Sequence, residues 1–189
     1  IRLMNVSMLV VDECHCISQW GYDFRPDYLT ISNVRQQLPE GTPVLALTAT
    51  ATPAVIDDIL DKLAFRSKNV LRASFKRDNL AYIVRETENK IDTLFKILNN
   101  VPGTSIVYVR NRKKTREISE LLNHNGYTSC HYHAGLTHQQ REDAQQQWTC
   151  GDVRIVVATN AFGMGIDKPD VRTVIHLDLP DNLESYFQE

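Results

Sequence analysis

Residues 8–28 read MLVVDECHCISQWGYDFRPDY. The apolar run Met8-Leu9-Val10-Val11 stops at two acids, Asp12 and Glu13. That is the pattern of a buried parallel strand delivering carboxylates to its C-terminal end, where open α/β sheets bind their ligands. His15 follows the acids, and a loop with Trp20, Tyr22, Phe24 and Tyr28 follows His15. Carboxylates suited to a metal-nucleotide therefore stand beside rings suited to stacking on bases. The expectation is a stretch that couples nucleotide hydrolysis to a nucleic-acid strand.

Outward from this stretch, strand and helix patterns alternate, which predicts an α/β fold with parallel sheets and crossover helices. Pro26 suits the first turn of a helix running to about Leu38. Val44-Leu45-Ala46-Leu47 reads as a second buried strand and ends in the hydroxyl-rich run Thr48-Ala49-Thr50-Ala51-Thr52. Thr52 can cap a helix that opens on Pro53, with Val55, Ile56, Ile59, Leu60 and Leu63 at helical spacing. A short strand is expected near Val70 and Leu71. Residues 73–80 (ASFKRDNL) are polar and without a period, which places a domain boundary there and divides the chain into 1–76 and 77–189.

The second part repeats the rhythm without a detectable sequence repeat. A helix is expected over 90–100 and a strand over 105–109. A helix carrying Ile118, Leu121 and Leu122 is stopped by Gly126, and a strand follows over 127–133. Thr137 and Gln140 have capping-box spacing and open a helix ending near Trp148. Strands over 153–158 and 174–179 flank the glycine-rich loop 159–169, TNAFGMGIDKP.

Composition sets the bounds. The 189 residues suffice for one large domain or two small ones, and 42% apolar content is ample for a core. A net charge of -2 gives no global basic field, so any nucleic-acid contact must come from a local groove. Cys14, Cys16, Cys130 and Cys150 have no CxxC spacing, which favours a reduced, intracellular chain. Cys130, His131 and His133 can be imagined as metal ligands, but alternate residues of a strand face opposite ways. There is no long apolar run and no leader pattern, so the expectation is a soluble, cytoplasmic protein without a membrane partner. A first strand that starts at once, and a last helix from Leu183 with no stop, suggest a piece of a longer protein.

Several residues can carry chemistry. One of Asp12 and Glu13 can hold magnesium through water while the other orients the attacking water, the two tasks phosphoryl transfer requires. His15 can serve as a general base or, better, as a hydrogen-bond relay to neighbouring loops, with Thr48 and Thr50 as bridging hydroxyls. The bland alternative for the threonines is ordinary turn chemistry. Aromatics are most often core, but residues 20–25 interleave them with charge and a glycine, and Arg25 offers a fork for a phosphate or carboxylate. Arg110, Arg112, Lys113, Lys114 and Arg116 form either a solvated helix face or a phosphate contact, their charge being unfavourable at a helix start without an anion. In the loop 159–170, Gly163 and Gly165 permit close backbone approach to an anion, and Asp167 can accept ribose hydroxyls. No GxxxxGK[ST] phosphate loop occurs in these residues.

The chain resembles the RecQ-type DNA helicases of helicase superfamily 2 over essentially its whole length. The resemblance rests on the acidic box Asp12-Glu13-Cys14-His15 and the aromatic-rich loop 18–26. It rests also on the coupling motif Thr48-Ala49-Thr50-Ala51, on residues 132–136 (YHAGL) and on 157–169, which is similar to motif V almost residue for residue. The acidic box is shared by many helicases, whereas the aromatic loop and the Phe-Gly-Met-Gly-Ile-Asp string are specific to this family. It implies two RecA-like domains, the first only partly present, that clamp ATP and step 3′ to 5′ along single-stranded DNA to open duplexes or forks in repair and recombination. It further implies magnesium at Asp12, water activation by Glu13 with His15 beside it, nucleotide contact at Gly165 and Asp167, and DNA coupling through Trp20, Phe24, Arg25, Thr48, Thr50 and Thr159.

There are departures. Cys14 stands where the family usually has alanine, Tyr22 where histidine is frequent, and Val109-Arg110-Asn111-Arg112 differs from the usual polar run. By the same resemblance the phosphate loop precedes Ile1, and the arginine-finger motif and the zinc-binding and winged-helix modules follow Glu189. An arginine finger contributes ~10³–10⁵ in rate, so negligible ATP turnover is expected of these residues alone. The rival readings are a DNA-stimulated translocase that does not separate strands, and a non-enzymatic DNA-binding fragment.

Overall fold

The computed structural model describes residues 5–19, 23–74, 76–163 and 165–189. The chain divides into two compact units, Ile1–Ala81 and Tyr82–Glu189. In the first, strands β1 (Leu9–Val11) and β2 (Val44–Ala46) pair in parallel, with Val10 opposite Leu45. A 3-10 turn over Cys14–Ile17 follows β1, and a second over Pro26–Tyr28 leads into helix α1 (Leu29–Gln37). Helix α2 (Pro53–Lys62) begins as its sequence dictates: the Thr52 hydroxyl accepts the Val55 N–H and Pro53 fills the first turn. Val55, Ile59 and Leu63 bury one stripe against Val11, Cys14 and Ile17.

Two sequence expectations fail in this unit. The strands are covered on one face only: Val10 is 52% exposed and Leu45 44%. An unbroken apolar run permits burial on both faces, but among the described residues the helices pack on the Val11 side alone. Nor does a strand form near Val70 and Leu71. No described strand pairs with them, and Leu71 is 93% exposed.

The second unit is a four-stranded parallel sheet in the order β4-β5-β3-β6. Its strands are β3 (Thr104–Tyr108), β4 (Ser129–Tyr132), β5 (Ile155–Ala158) and β6 (Val171–His176). Helices α3 (Lys90–Asn100), α4 (Arg112–His124), α5 (His138–Cys150) and α6 (Leu183–Gln188) complete it. Strand alternation divides the core in two. Val107, Ile155 and Val157 face Leu94, Leu98, Ile118 and Leu122 of α3 and α4. Ile106, Tyr108, Val156 and Ala158 face Ala144 and Trp148 of α5.

The capping box of Thr137 and Gln140 forms at the start of α5, and Gly126 and Gly151 take the left-handed conformation that ends α4 and α5. Arg154 donates to the carbonyls of Leu98, Val101 and Gly103, gathering the end of α3 onto the sheet. No helix among the described residues is long and apolar enough to cross a membrane.

Candidate active site

In the first unit the ladder carries the chain past β1 into the acids. Leu47 N–H donates to Val11 O, and Cys14 N–H donates to Leu47 O. Between those bonds Glu13 adopts a left-handed conformation (φ 49°), which costs a non-glycine residue roughly 1–2 kcal/mol. Its N–H donates to Asp12 Oδ1 at 2.9 Å. This turn leaves Asp12 exposed at the strand end and brings Glu13 Oε2 within 3.3 Å of His15 Nδ1.

His15 is buried, and its Nδ1 lies 3.0 Å from Thr48 Oγ1. Thr48 Oγ1 itself donates to Thr50 O and accepts the Thr50 N–H. The Thr48 proton is thereby committed, so His15 Nδ1–H is the donor between the two side chains. Glu13 Oε2 is near the same nitrogen without hydrogen-bond geometry. Burial lowers the His15 pKa below its ordinary value, and the opposing pull of Glu13 does not cancel this. The imidazole is thus favoured in its neutral form at neutral pH. Thr50 Oγ1 is buried and has no hydrogen-bond partner among the described residues.

The aromatic loop is described in part. Trp20, with Gly21 and Tyr22, lies outside the described residues. Phe24 is half-buried and Arg25 exposed. Arg25 Nε and Nη2 both donate to Asp23 Oδ2, at 3.0 and 2.6 Å. The same oxygen lies 3.7 Å from Cys16 Sγ, which is 3.5 Å from His15 Nε2. Burial pushes the Cys16 thiol up to about 11. Asp23 and Cys16 escaped the sequence reading: Asp23 was one charge among aromatics, and Cys16 was weighed only for redox.

The second unit holds the glycine-rich loop after β5. Thr159 is buried at the strand end, and its N–H donates to Tyr132 O. Tyr108 donates its hydroxyl to Phe162 O at 2.9 Å, and Phe162 packs edge-on against Tyr132 and Trp148. A Cβ on Gly163 would meet Tyr108 Oη at 3.0 Å. Gly165 (φ 74°) and Asp167 are exposed at the loop tip. Lys168 runs back beneath the loop, its Nζ 5.4 Å above the Trp148 ring and bonded to Thr149 O and Asp170.

The basic run is largely ion-paired within its own unit. Lys114 pairs with Asp178, which also accepts the Arg110 backbone N–H, the Arg110 guanidinium pairs with Asp181, and Lys113 and Arg116 pair with Glu117 and Glu120 along α4. Cys130, His131 and His133 do not group as metal ligands among the described residues; His15, Cys16 and Asp23 do. All four cysteines are free.

A family model for the helicase conserved C-terminal domain matches residues 89–189, and one for DEAD/DEAH box helicases matches residues 1–59. The chain belongs to the helicase conserved C-terminal domain family. Within the helicases its similarity is to the RecQ type. It is 44% identical over 186 residues to the ATP-dependent DNA helicase RecQ of Pasteurella multocida, covering 98% of this chain and 29% of that protein. It is 41% identical over 189 residues to the RecQ of Bacillus subtilis, covering 98% and 32%. The RecQ-like DNA helicase blm-1 of Caenorhabditis elegans is 43% identical over 188 residues, covering 97% and 19%. The chain therefore spans between a fifth and a third of these relatives. Among solved structures, Saccharomyces cerevisiae Dbp5 bound to RNA and ADP BeF3 superposes with a TM-score of 0.79 at 23% identity, covering 98% of this chain and 49% of that one. The fold is the RecA-like helicase fold expected from the sequence.

Proposed function

We propose that this chain is part of an ATP-dependent 3′–5′ DNA helicase of RecQ type. It would hydrolyse ATP to move on single-stranded DNA and open duplexes or forks, in repair and recombination, in the cytoplasm. Residues 1–76 would belong to the ATP-binding RecA-like domain and 77–189 to the second motor domain. The observation that carries this reading is the linkage of Glu13, His15 and Thr48, with His15 Nδ1 3.0 Å from the hydroxyl and 3.3 Å from the carboxylate. It ties a water-activating acid to the loop after the neighbouring strand.

Asp12 suits Mg²⁺, which keeps several waters and takes one or two carboxylates together with phosphates. Its carboxylate is exposed and accepts one bond, from the Glu13 N–H. The ion would supply positive charge at the phosphates. Glu13 orients water and accepts its proton. His15, neutral and buried, holds Glu13 and Thr48 in a fixed relation, so that a shift of either loop is felt at the acid. Trp20, Phe24 and Arg25 stack on or contact the strand, and Asp23 holds the Arg25 fork in place. Thr159 meets the DNA backbone, while Gly165 and Asp167 receive the nucleotide.

The test is ATP turnover with Mg²⁺, with and without single-stranded DNA, on the full-length protein. Glu13→Gln is expected to lower turnover by at least about 10²-fold, and Trp20→Ala to abolish the DNA stimulation. An unwinding assay distinguishes strand separation from translocation. The 189 residues alone, which contain no GxxxxGK[ST] stretch, are expected to turn over negligibly. Turnover by the full-length protein that is indifferent to DNA and to Glu13→Gln would overturn the proposal.

A further inference from the structure

Cys16 and Asp23 form a cluster with His15 on the face of the imidazole away from the threonine relay. The ligand atoms of the three lie within 4.8 Å of one another. Cys16 Sγ stands 3.5 Å from His15 Nε2 and 3.7 Å from Asp23 Oδ2. Tetrahedral zinc, with bonds of about 2.3 Å to sulfur and 2.0–2.1 Å to nitrogen or oxygen, spaces its sulfur about 3.5 Å from each neighbouring ligand. Two edges of the tetrahedron are therefore already built. The third, between the imidazole and the carboxylate, lies within 4.8 Å and has to close to about 3.4 Å.

The surroundings match a zinc ligand set as well. A ligating histidine characteristically donates its other N–H to an oxygen, often of a carboxylate, which fixes the tautomer. Here Nδ1–H donates to Thr48 Oγ1 with Glu13 Oε2 3.3 Å away, so the nitrogen facing Cys16 is the one that carries the lone pair. Asp23 Oδ2, the oxygen nearest Cys16, also accepts both bonds of the Arg25 fork, which a cation would have to displace. A thiolate selects a soft or borderline cation over magnesium, which separates this cluster chemically from the role given to Asp12.

We propose that His15 Nε2, Cys16 Sγ and Asp23 form a three-ligand site for a zinc-class divalent cation, with a fourth position left for water. On binding, the Cys16 S–H bond breaks, its proton passes to solvent and the sulfur lone pair binds the cation. Because the cation draws on the carboxylate that holds Arg25, it competes with the Asp23–Arg25 pair. The site does not depend on the helicase reading, and its test needs no turnover.

Co²⁺ is titrated into the purified 189-residue chain, whose only thiols are its four free cysteines, and followed by absorption, then displaced with Zn²⁺. One equivalent is expected, with tetrahedral d–d bands and thiolate-to-cobalt charge transfer. Cys16→Ser removes the charge-transfer band, Asp23→Asn weakens binding by about 10-fold, and Thr48→Val weakens it by about 10-fold through the orienting partner of His15. Arg25→Gln tightens binding, since the competing cation is gone. Cys150→Ser, at an exposed cysteine elsewhere, changes nothing. No charge transfer in the parent protein, a band that survives Cys16→Ser, or a band lost in Cys150→Ser would each overturn the site. Equal affinity in Arg25→Gln and the parent would remove Asp23 from it. Circular dichroism checks each variant. If Cys16→Ser does not fold, the half-buried Asp23 carries the test, because Asp23→Asn retains the shape of the side chain.

Discussion

The contact of Lys168 with Trp148 sets how firmly the glycine-rich loop is held, and its strength can be worked out. Trp148 is fully buried, and its Nε1 donates to Ser105 O. Lys168 Nζ is 5.4 Å above the ring, on a side chain only 8% exposed. The ion pair with Asp170 faces water through a carboxylate 56% exposed, so solvent screens it and it contributes little. The shielded parts matter more. A desolvated cation over an indole contributes up to about 2 kcal/mol, and a charged bond to the Thr149 carbonyl roughly 1.5 kcal/mol. Part of this is offset by removing the ammonium from water, so Lys168→Met, which retains the stem, should cost about 2 kcal/mol in all. Trp148→Leu should cost about 3 kcal/mol. The ring–ammonium share alone is the coupling in a double-mutant cycle, expected at about 1 kcal/mol, or roughly fivefold in the opening equilibrium. Native-state hydrogen exchange of the β5 amides reports the second unit by itself. Single variants whose effects add to within about 0.3 kcal/mol would refute the contact.

Three further outcomes follow from the same geometry. Because burial lowers the His15 pKa below 6.5, the unfolded chain binds the proton more readily. The contribution of His15 to stability is then full above about 6.5 and is lost as pH falls through the folded value; an imidazole found by NMR to titrate above 6.5 would sink this. Thr48→Val removes the acceptor of the buried His15 N–H, a loss of about 1–3 kcal/mol. The low end is expected in urea unfolding, since Glu13 Oε2 is near enough to take the proton, and unchanged stability would count against the relay. Gly163→Ala places a Cβ 3.0 Å from Tyr108 Oη at φ 129° and should cost about 1–3 kcal/mol. Part of that loss should return in a Tyr108→Phe background, and a neutral Gly163→Ala would show that the loop is not held as described.

What the sequence discloses and what it conceals divide by the range of the interaction. Caps are local, so Thr52 with Pro53 and Thr137 with Gln140 were legible and form as read. The acids and His15 were legible because they are contiguous. Burial on both faces of β1 and β2 was misread, since an apolar run states what a strand tolerates and not what covers it. A strand at Val70 and Leu71 was misread for a related reason, as two apolar residues make a strand only where a partner offers its ladder. The tether from Tyr108 to Phe162 spans 54 residues, and no local pattern encodes it. Cys16 and Asp23 are seven apart in a loop without periodicity, where spacing carries no information about contact.

The relay itself shows why the strand ends matter more than the individual side chains. His15 and Thr48 are 33 residues apart, yet neither reaches far to meet the other. Val11 stands opposite Ala46, and the ladder continues through Leu47 N–H to Val11 O and Cys14 N–H to Leu47 O. Those two backbone bonds fix how far each chain has run when it leaves the sheet. The left-handed turn at Glu13 then leaves Asp12 outside and brings the Glu13 carboxylate to His15, while the 3-10 turn brings His15 back over the end of β2. A slip of one residue between β1 and β2 would exchange the buried Val11 for the exposed Val10 and move His15 off Thr48. The burial of Val11 against Val55 and Ile59 opposes that slip. The hydrophobic contact of α2 with β1 is therefore what sets the spacing of the polar groups, and a defect there should loosen the relay before it unfolds the unit.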